Sequence, residues 1–290
     1  MRWGVDSSWY QVNQVVTVPE RFYRPGEQRP VREPLFDYVT RRAGRSPEFW
    51  GRYLNDNHPP SRLRPDEPEY LFTRGCRLLL VYNGIRRQPS PGRRGRREGE
   101  KAARNAIRLA RGYHVPQGVR IYLDLEGWFV QPEFLEGWWD VMYDSPYAGA
   151  GGIYGRGAEV RRRRRSPMPD LRRRPYSRGW AQRVLTAEDR VAERRWPGLL
   201  TDLVTGRHSK PYSVFIWTNT PRQVDKRSDT PPGAEIIPPS FGGVGPVGSL
   251  LTDTVIWQYR FSAFWERGRH GGTVDLDVAL ELAYQEMWGA

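Results

Sequence analysis

The chain has 290 residues, 38% of them hydrophobic, and this length suits one large α/β domain with a full-sized core. Its formal net charge is +13 and its pI is near 10.1, which favours an acidic partner. No stretch reaches the roughly 20 apolar residues of a membrane-spanning helix, and no apolar signal region opens the chain.

Short apolar segments alternate with helical or loop segments, a pattern typical of parallel βα units. In chain order, eight strands are predicted near residues 2–6, 48–53, 77–82, 119–125, 150–154, 213–217, 254–258 and 273–276. Helices are predicted at about 99–113, 132–143 and 180–195, and from Val278 to Met287.

Eight strands with interleaved helices in about 290 residues match the size and the strand–helix alternation of a (β/α)8 TIM-type barrel. The alternative is an open doubly wound sheet, which would place a glycine-rich phosphate-binding turn after the first strand. Asp6 is followed instead by Ser7, Ser8 and Trp9. We therefore predict a single-domain TIM-type barrel over residues 1–290.

A pair of carboxylates lies at the end of the fourth predicted strand. Asp124 and Glu126 are two residues apart, so in a strand both side chains point to the same side, with Cα atoms about 6.5 Å apart. Repulsion and burial would raise the pKa of one of them and leave a proton donor beside a carboxylate. Glycoside hydrolysis uses this combination, although the pair could equally mark an ordinary junction between strand and loop.

The other predicted strands also end in polar or aromatic residues, and in a barrel these ends meet at one mouth. Besides Asp124 and Glu126, the strand ends carry Asp6, Tyr53, Tyr82, Tyr154, Trp217, Trp257, Gln258 and Asp275. Each residue alone is weak evidence, because a Tyr or Trp at a strand end more often belongs to the core. Together they predict carboxylates converging over aromatic rings, on which sugars can stack.

Four motifs, in this order, resemble those of the family 25 lysozymes and, more closely, the actinobacterial glycoside hydrolase-like domains related to them. They are Gly-Val-Asp-Ser-Ser-Trp at 4–9, Ile-Tyr-Leu-Asp-Leu-Glu at 121–126, Gly-Ile-Tyr-Gly at 152–155, and Trp-Gln-Tyr at 257–259 followed by Val-Asp-Leu-Asp at 274–277. The resemblance touches most predicted strands and so covers nearly the whole chain.

The resemblance implies action on muramic acid–glucosamine linkages of peptidoglycan. It assigns the general acid to Glu126 and gives Asp124 the role of orienting the reacting N-acetyl group. The matching positions for two further acids and two sugar-contacting aromatics are Asp6, Asp275, Tyr154 and Trp257. It also implies a secreted or cell-envelope protein.

The chain departs from the lysozymes at two places. Asp277 stands where they often have Asn, and an arginine-rich insertion follows Tyr154 at about 156–178. Members of the glycoside hydrolase-like branch are not all established enzymes. The sequence therefore leaves two functions open: a muramidase-like hydrolase, and a non-catalytic glycan-binding protein of the same fold.

Two segments account for the whole of the net positive charge: residues 86–104 have a net charge of +6 and residues 156–178 have +8, so the other residues sum to −1. Both follow predicted strands and are predicted to be βα loops, so we expect them to rim the mouth and to attract a cell-wall glycan or another anionic polysaccharide. Nucleic acid is the rival partner. The arginine clusters are not interleaved with aromatic residues, and no known nucleic-acid-binding motif is present.

Metal and cofactor chemistry has little support in the sequence. The lone Cys76 excludes an intramolecular disulfide and any cysteine-based zinc cluster, and its position before an apolar run predicts a buried thiol. The four histidines share no metal-ligand spacing. We expect neither a metal ion nor another cofactor.

Overall fold

The computed structural model describes residues 1–8, 10–18, 20, 23–56, 61–85, 89–125, 131–155, 215–218, 223–224, 254–263 and 274–289. The strands are β1 (Arg2–Asp6), β2 (Val15–Thr17), β3 (Arg32–Pro34), β4 (Phe49–Leu54), β5 (Arg77–Tyr82), β6 (Ile121–Asp124), β7 (Gly152–Gly155), β8 (Phe215–Thr218), β9 (Gln223–Val224), β10 (Thr254–Ala263) and β11 (Val274–Ala279). The helices are α1 (Leu35–Ala43), α2 (Glu67–Phe72), α3 (Gly92–Gly112), α4 (Pro132–Tyr143) and α5 (Glu281–Gln285).

The main sheet closes on itself. Its strands follow the order β11-β1-β4-β5-β6-β7-β8-β10, and β11 also pairs with β10. Strands β1, β4, β5, β6, β7, β8 and β10 pair in parallel, and β9 adds to β10. Strands β2 and β3 form a separate antiparallel pair. The carboxyl ends of the parallel strands therefore lie at one edge.

The predicted (β/α)8 barrel is wrong, because β11 runs antiparallel to both β1 and β10. All eight strands of such a barrel are parallel, and a helix follows each of them. Here the described residues form a mixed α/β sheet with five helices. An antiparallel strand needs no helical crossover from the strand before it, so the βα repeat ends before β11.

All eight predicted strands are present, with bounds that shift by a few residues. The helix predicted over 132–143 is α4, and the one predicted at 99–113 begins earlier, at Gly92. The segment predicted as a helix from Val278 is divided between β11, which continues to Ala279, and α5. Helices α1 and α2 and strands β2, β3 and β9 were not predicted. The helix predicted at 180–195 lies outside the described residues.

Helices α3 and α4 approach each other closely because glycines face each other at their contact. A Cβ atom on Gly99 would lie 1.9 Å from the carbonyl oxygen of Phe134, and one on Gly137 would lie 2.1 Å from that of Arg96. Real Cβ atoms do not approach oxygen this closely. The two backbones therefore pack directly against one another.

The ring of strands separates two hydrophobic clusters. The larger cluster lies between the sheet and the helices and includes Trp138. The smaller cluster fills the ring with side chains such as Phe49 and Tyr122. Glycines give these rings room, since a Cβ on Gly4 would lie 2.5 Å from the Phe49 ring and one on Gly152 would lie 2.4 Å from the Tyr122 ring.

A buried ion pair fixes the chain just after β1. The guanidinium Nε of Arg52 lies 2.9 Å from the Glu67 carboxylate, and both side chains are fully buried. The same carboxylate accepts hydrogen bonds from the backbone N–H groups of Val12 at 2.9 Å and Arg64 at 2.7 Å. Arg52 also donates to the carbonyl oxygen of Ser7. This network holds the backbone that leaves β1 at its carboxyl end.

Cys76 is buried, as the sequence predicted, and burial raises the pKa of its thiol. Within the part of the chain that the structure describes, no helix is both long and apolar enough to cross a bilayer. Among the same residues, no group of His, Cys, Asp or Glu side chains is arranged to hold a metal ion.

Candidate functional site

A polar cluster lies inside the ring of strands, at the edge where the parallel strands end. Its members are Asp6, Tyr53, Tyr154, Trp217, Gln258, Asp275 and Asp277. Register explains why these side chains meet, since β1 and β11 pair with Asp6 opposite Asp275. Because β11 is antiparallel, its first residues lie at the mouth edge, and Asp277 lies one layer deeper than Asp275.

Asp6 is held by hydrogen bonds from strands β4 and β10. Its Oδ1 accepts from the Tyr53 hydroxyl at 3.5 Å, and its Oδ2 accepts from the Gln258 side-chain amide at 2.5 Å. The Tyr154 hydroxyl donates to Gln258 Oε1 at 3.0 Å, which orients that amide with its N–H groups toward Asp6. These hydrogen bonds fix the orientation of the Asp6 carboxylate. Asp6 is buried, with 1% of the residue exposed.

Gln258 also links two of the acids. Its Nε2 donates to Asp275 Oδ2 at 3.3 Å while it donates to Asp6. Gln258 itself is fully buried, whereas Asp275 is partly exposed. The cluster thus runs from buried groups inside the ring to a carboxylate that reaches the mouth.

Aromatic rings form the floor beneath these acids. The Trp217 ring lies 4.2 Å from the Tyr154 ring and makes an edge contact with Tyr122 at 6.0 Å. Its indole N–H donates to Asp277 Oδ1 at 3.0 Å. Trp217 is 0% exposed and Tyr154 is 2% exposed, so both rings belong to the packed interior below the mouth.

Asp277 is the deepest acid of the cluster, and it was not predicted as a site residue. Burial raises the pKa of its carboxyl well above the usual range, and the negative charges of Asp6 and Asp275 raise it further. Its Oδ2 is buried and has no hydrogen-bond donor among the described residues. The sequence carried a signal for it, since Asp275 and Asp277 have the same two-residue spacing as Asp124 and Glu126.

Asp124 lies at the carboxyl end of β6, in register with Tyr154 of β7. It is partly exposed, and it lies two residues after Tyr122, whose ring packs inside the ring of strands. Strand alternation therefore directs Asp124 to the interior side at the mouth. Glu126, the predicted proton donor, lies outside the described residues.

The structure does not place Tyr82 and Trp257 with the other predicted site residues. The Tyr82 ring stacks on Trp138 with centroids 5.7 Å apart, and its hydroxyl accepts a hydrogen bond from Asn105 of α3 at 3.1 Å. Trp257 is fully buried in the same outer cluster. Both side chains therefore lie between the sheet and the helices.

The first basic segment differs from the loop that we predicted. Most of residues 86–104 form the first half of α3, which packs on α4 through Gly99 and directs its cations outward. Among the described residues, Arg97, Lys101 and Arg111 are exposed and make no ion pair. The second basic segment, 156–178, lies outside the described residues.

A groove of about 840 Å³ follows α3 near the carboxyl end of β5. Its charged lining residues are Lys101, Arg104, Arg108, Glu98 and Asp56, of which Arg108 and Asp56 form an ion pair at 2.9 Å. Tyr82, Ile85 and Phe134 give the groove apolar surface.

The sequence profile of the Rv2525c-like, glycoside hydrolase-like domain matches residues 45–227. The chain belongs to this family. The resemblance seen in the sequence motifs is therefore confirmed at the level of a glycoside hydrolase-like family. No curated protein matches the sequence significantly.

Two solved structures have the same fold over nearly their whole length. An uncharacterized protein of B. stearothermophilus is 20% identical with a TM-score of 0.58, covering 99% of this chain and 100% of that one. The Tat-secreted protein Rv2525c of Mycobacterium tuberculosis, in complex with L-tartrate, is 11% identical with a TM-score of 0.51, covering 99% of each chain. At these identities the comparison shows a shared fold alone.

Proposed function

We propose that this protein binds and hydrolyses a peptidoglycan-type cell-wall glycan. The observation that carries the proposal is the cluster of carboxylates at the strand ends of a glycoside hydrolase-like domain. Asp6 and Asp275 share the Gln258 amide, and Asp124 occupies the same edge of the sheet. A sugar chain that crosses this edge would meet acids from strands β1, β6 and β11.

In the proposed mechanism, Glu126 donates a proton to the glycosidic oxygen of the leaving sugar. Asp124 orients the substrate N-acetyl group, which attacks the anomeric carbon as the bond to the leaving sugar breaks. The negative charges of Asp6 and Asp275 favour the protonated form of a neighbouring acid and stabilise positive charge at the reacting carbon.

The second candidate is a glycan-binding protein that does not hydrolyse. Burial favours it, since Asp6 is 1% exposed and Gln258 is fully buried. Their hydrogen bonds to each other satisfy groups that a catalytic site would turn toward the substrate. In this case only the partly exposed Asp124 and Asp275 would contact the sugar.

A test of hydrolysis compares the wild type with Glu126→Gln on purified peptidoglycan and on chitin-type oligomers, by following the release of reducing ends. The amide keeps the size of the side chain and removes the transferable proton, so activity is expected to fall at least 100-fold while binding and stability remain. Glu69→Gln is the matched control, because Glu69 is an exposed residue of α2. Binding without release of reducing ends by the wild type would establish the second candidate.

The proposed partner is an anionic wall polymer that contacts the exposed cations of α3. Replacing Arg97 and Lys101 by Gln should weaken sedimentation with cell walls and flatten its dependence on salt, while hydrolysis of short neutral oligomers remains. The control removes two exposed arginines elsewhere, Arg24 and Arg32. Tight binding to nucleic acid with a steep salt dependence, together with no affinity for glycan, would contradict the proposal.

The proposed location is outside the cell or in the cell envelope, where such a polymer occurs. It rests on membership of the glycoside hydrolase-like family and on the fold shared with Rv2525c, a Tat-secreted protein. Fractionation of the producing cells, with detection of this chain in the medium, wall and cytosol, tests the location.

A further inference from the structure

We propose that Asp277 is a neutral carboxylic acid whose proton is donated to Asp6, and that this hydrogen bond positions the Asp6 carboxylate. The role of Asp6 in binding or catalysis rests on the proposed function. The protonation of Asp277 does not, because it can be measured without a substrate.

The surroundings of Asp277 contain more acceptors than donors. Its Oδ1 accepts the Trp217 indole N–H at 3.0 Å, whereas its Oδ2 is buried and meets no donor among the described residues. A buried carboxylate oxygen with no donor is costly, since nothing replaces its lost hydration. A proton on Oδ2 removes this cost, because the oxygen then becomes a donor.

Asp6 is the acceptor for that donor. It lies within hydrogen-bonding reach of Asp277, across the β1–β11 pair. The residue directly opposite Asp277 is Gly4, which has no side chain to separate the two acids. With the two donors that it already has, Tyr53 and Gln258, Asp6 would be held from three sides.

Charge acts in the same direction. Among the described residues, the charged groups around Asp277 are Asp6 on β1 and Asp275 on its own strand, both of which disfavour a second negative charge. Tyr53 and Tyr154 face the cluster from β4 and β7 as neutral hydroxyls. The Trp217 N–H favours the charged form, but burial and the two acids outweigh it, and the pKa of Asp277 is raised well above its usual range.

A neutral acid presents one donor and one acceptor, as an asparagine side chain does. Asp277→Asn should therefore preserve the fold and the position of Asp6. Asp277→Leu removes the donor and should weaken glycan binding even where the protein folds.

The first experiment measures unfolding by urea between pH 5 and pH 8 for the wild type and Asp277→Asn. In the unfolded chain Asp277 loses its proton near pH 4, whereas in the folded protein it keeps it. Folding of the wild type must then take up a proton, and each unit of rising pH lowers its folded-to-unfolded ratio about tenfold relative to the variant. This dependence ends where pH reaches the pKa of folded Asp277.

A relative stability that does not change with pH would overturn the proposal. The second experiment uses infrared spectroscopy of the wild type at pH 7, where a protonated carboxyl band is expected. The band should disappear in Asp277→Asn and persist in Asp37→Asn, which changes an acid on α1 outside the cluster. Absence of the band in the wild type would overturn the proposal even if the variants failed to fold, whereas loss of hydrolysis alone would affect only the proposed function.

Discussion

Gly51 allows β4 to lie directly beside Asp6, and its replacement by alanine tests how tightly the site is packed. In the β1–β4 register, Gly51 pairs with Asp6. A Cβ on Gly51 would lie 2.6 Å from Asp6 Cβ, 3.4 Å from Asp6 Cα and 3.2 Å from Trp217 Cη2. These atoms belong to the β1 backbone or its first side-chain carbon and to a packed ring, so none can swing away freely.

The expected cost of Gly51→Ala follows from these distances. Overpacking of a filled interior costs about 1–3 kcal/mol. Alanine recovers about 0.4–1 kcal/mol through the lower conformational entropy of the unfolded chain, which leaves a net loss of up to about 2.6 kcal/mol, with a middle value of about 1.3 kcal/mol. Since 1 kcal/mol corresponds to about 2–4 °C in the melting temperature of domains of 150–250 residues, the melting temperature should fall by several degrees. Movement of Asp6 should also weaken glycan binding.

Thermal and urea unfolding, followed by sedimentation with peptidoglycan, measure both effects. Gly112→Ala is the matched control, because Gly112 ends α3 and no atom lies within 4 Å of the position of a Cβ. There alanine should stabilise the protein by up to about 1 kcal/mol, since it is the better helix former. If Gly51→Ala were as stable as Gly112→Ala and bound glycan as the wild type does, the close packing around Asp6 would be refuted.

Three further predictions concern the structure around the site. Glu67→Gln should lower the free energy of unfolding in urea by about 3–5 kcal/mol, since it leaves the buried Arg52 guanidinium without its counter-charge. An effect as small as that of Glu69→Gln, at an exposed residue, would contradict this prediction. Gly99→Ala should lower the melting temperature measured by circular dichroism, because the alanine Cβ would overlap the Phe134 carbonyl oxygen and push α3 away from α4. An unchanged melting temperature would show that the two helices lie farther apart than the structure places them. The Cys76 thiol should resist alkylation at pH 8 until urea unfolds the protein, because it is 1% exposed and burial raises its pKa; rapid labelling of the folded protein would be inconsistent with this burial.

Strand positions could be predicted from the sequence, whereas strand direction could not. Runs such as residues 77–82 are apolar on both faces, and this composition marks a buried strand whichever way it pairs. β11 alternates apolar residues with Asp275 and Asp277, which shows the face that each side chain occupies but does not fix the direction in which the strand pairs. Its direction depends on its partners β1 and β10, which lie far away in the chain.

The first residues of α3 were not predicted to be helical because of their composition. Residues 92–98 contain two glycines and four arginines, which read as a basic loop. Gly95 and Gly99 are helical because they allow close contact with a neighbouring chain segment, and this contact outweighs their poor helix propensity. Tertiary packing of this kind leaves no periodic apolar signal.

The structure brings the predicted residues together only where strand alternation was followed through. Asp6 and Asp275 converge as expected, and the two-residue spacing from Asp275 would also have identified Asp277. The same alternation shows that neighbouring residues such as Trp257 and Gln258 cannot both face the interior. The sequence motifs therefore indicated which strands lie around the cluster. The alternation of side chains along each strand determines which residues point into it.

Closure of the sheet by β1 and β11 has a consequence for folding kinetics. The hydrogen bond from Gln258 to Asp6 joins residues 252 positions apart, and the contact between Arg2 and Glu281 joins residues 279 positions apart. Contacts of such high sequence separation form late, after the loop-closure entropy has been overcome. We therefore expect the carboxylate cluster to assemble late in folding, so that chains that have formed only the β4–β7 sheet would bind no ligand through it.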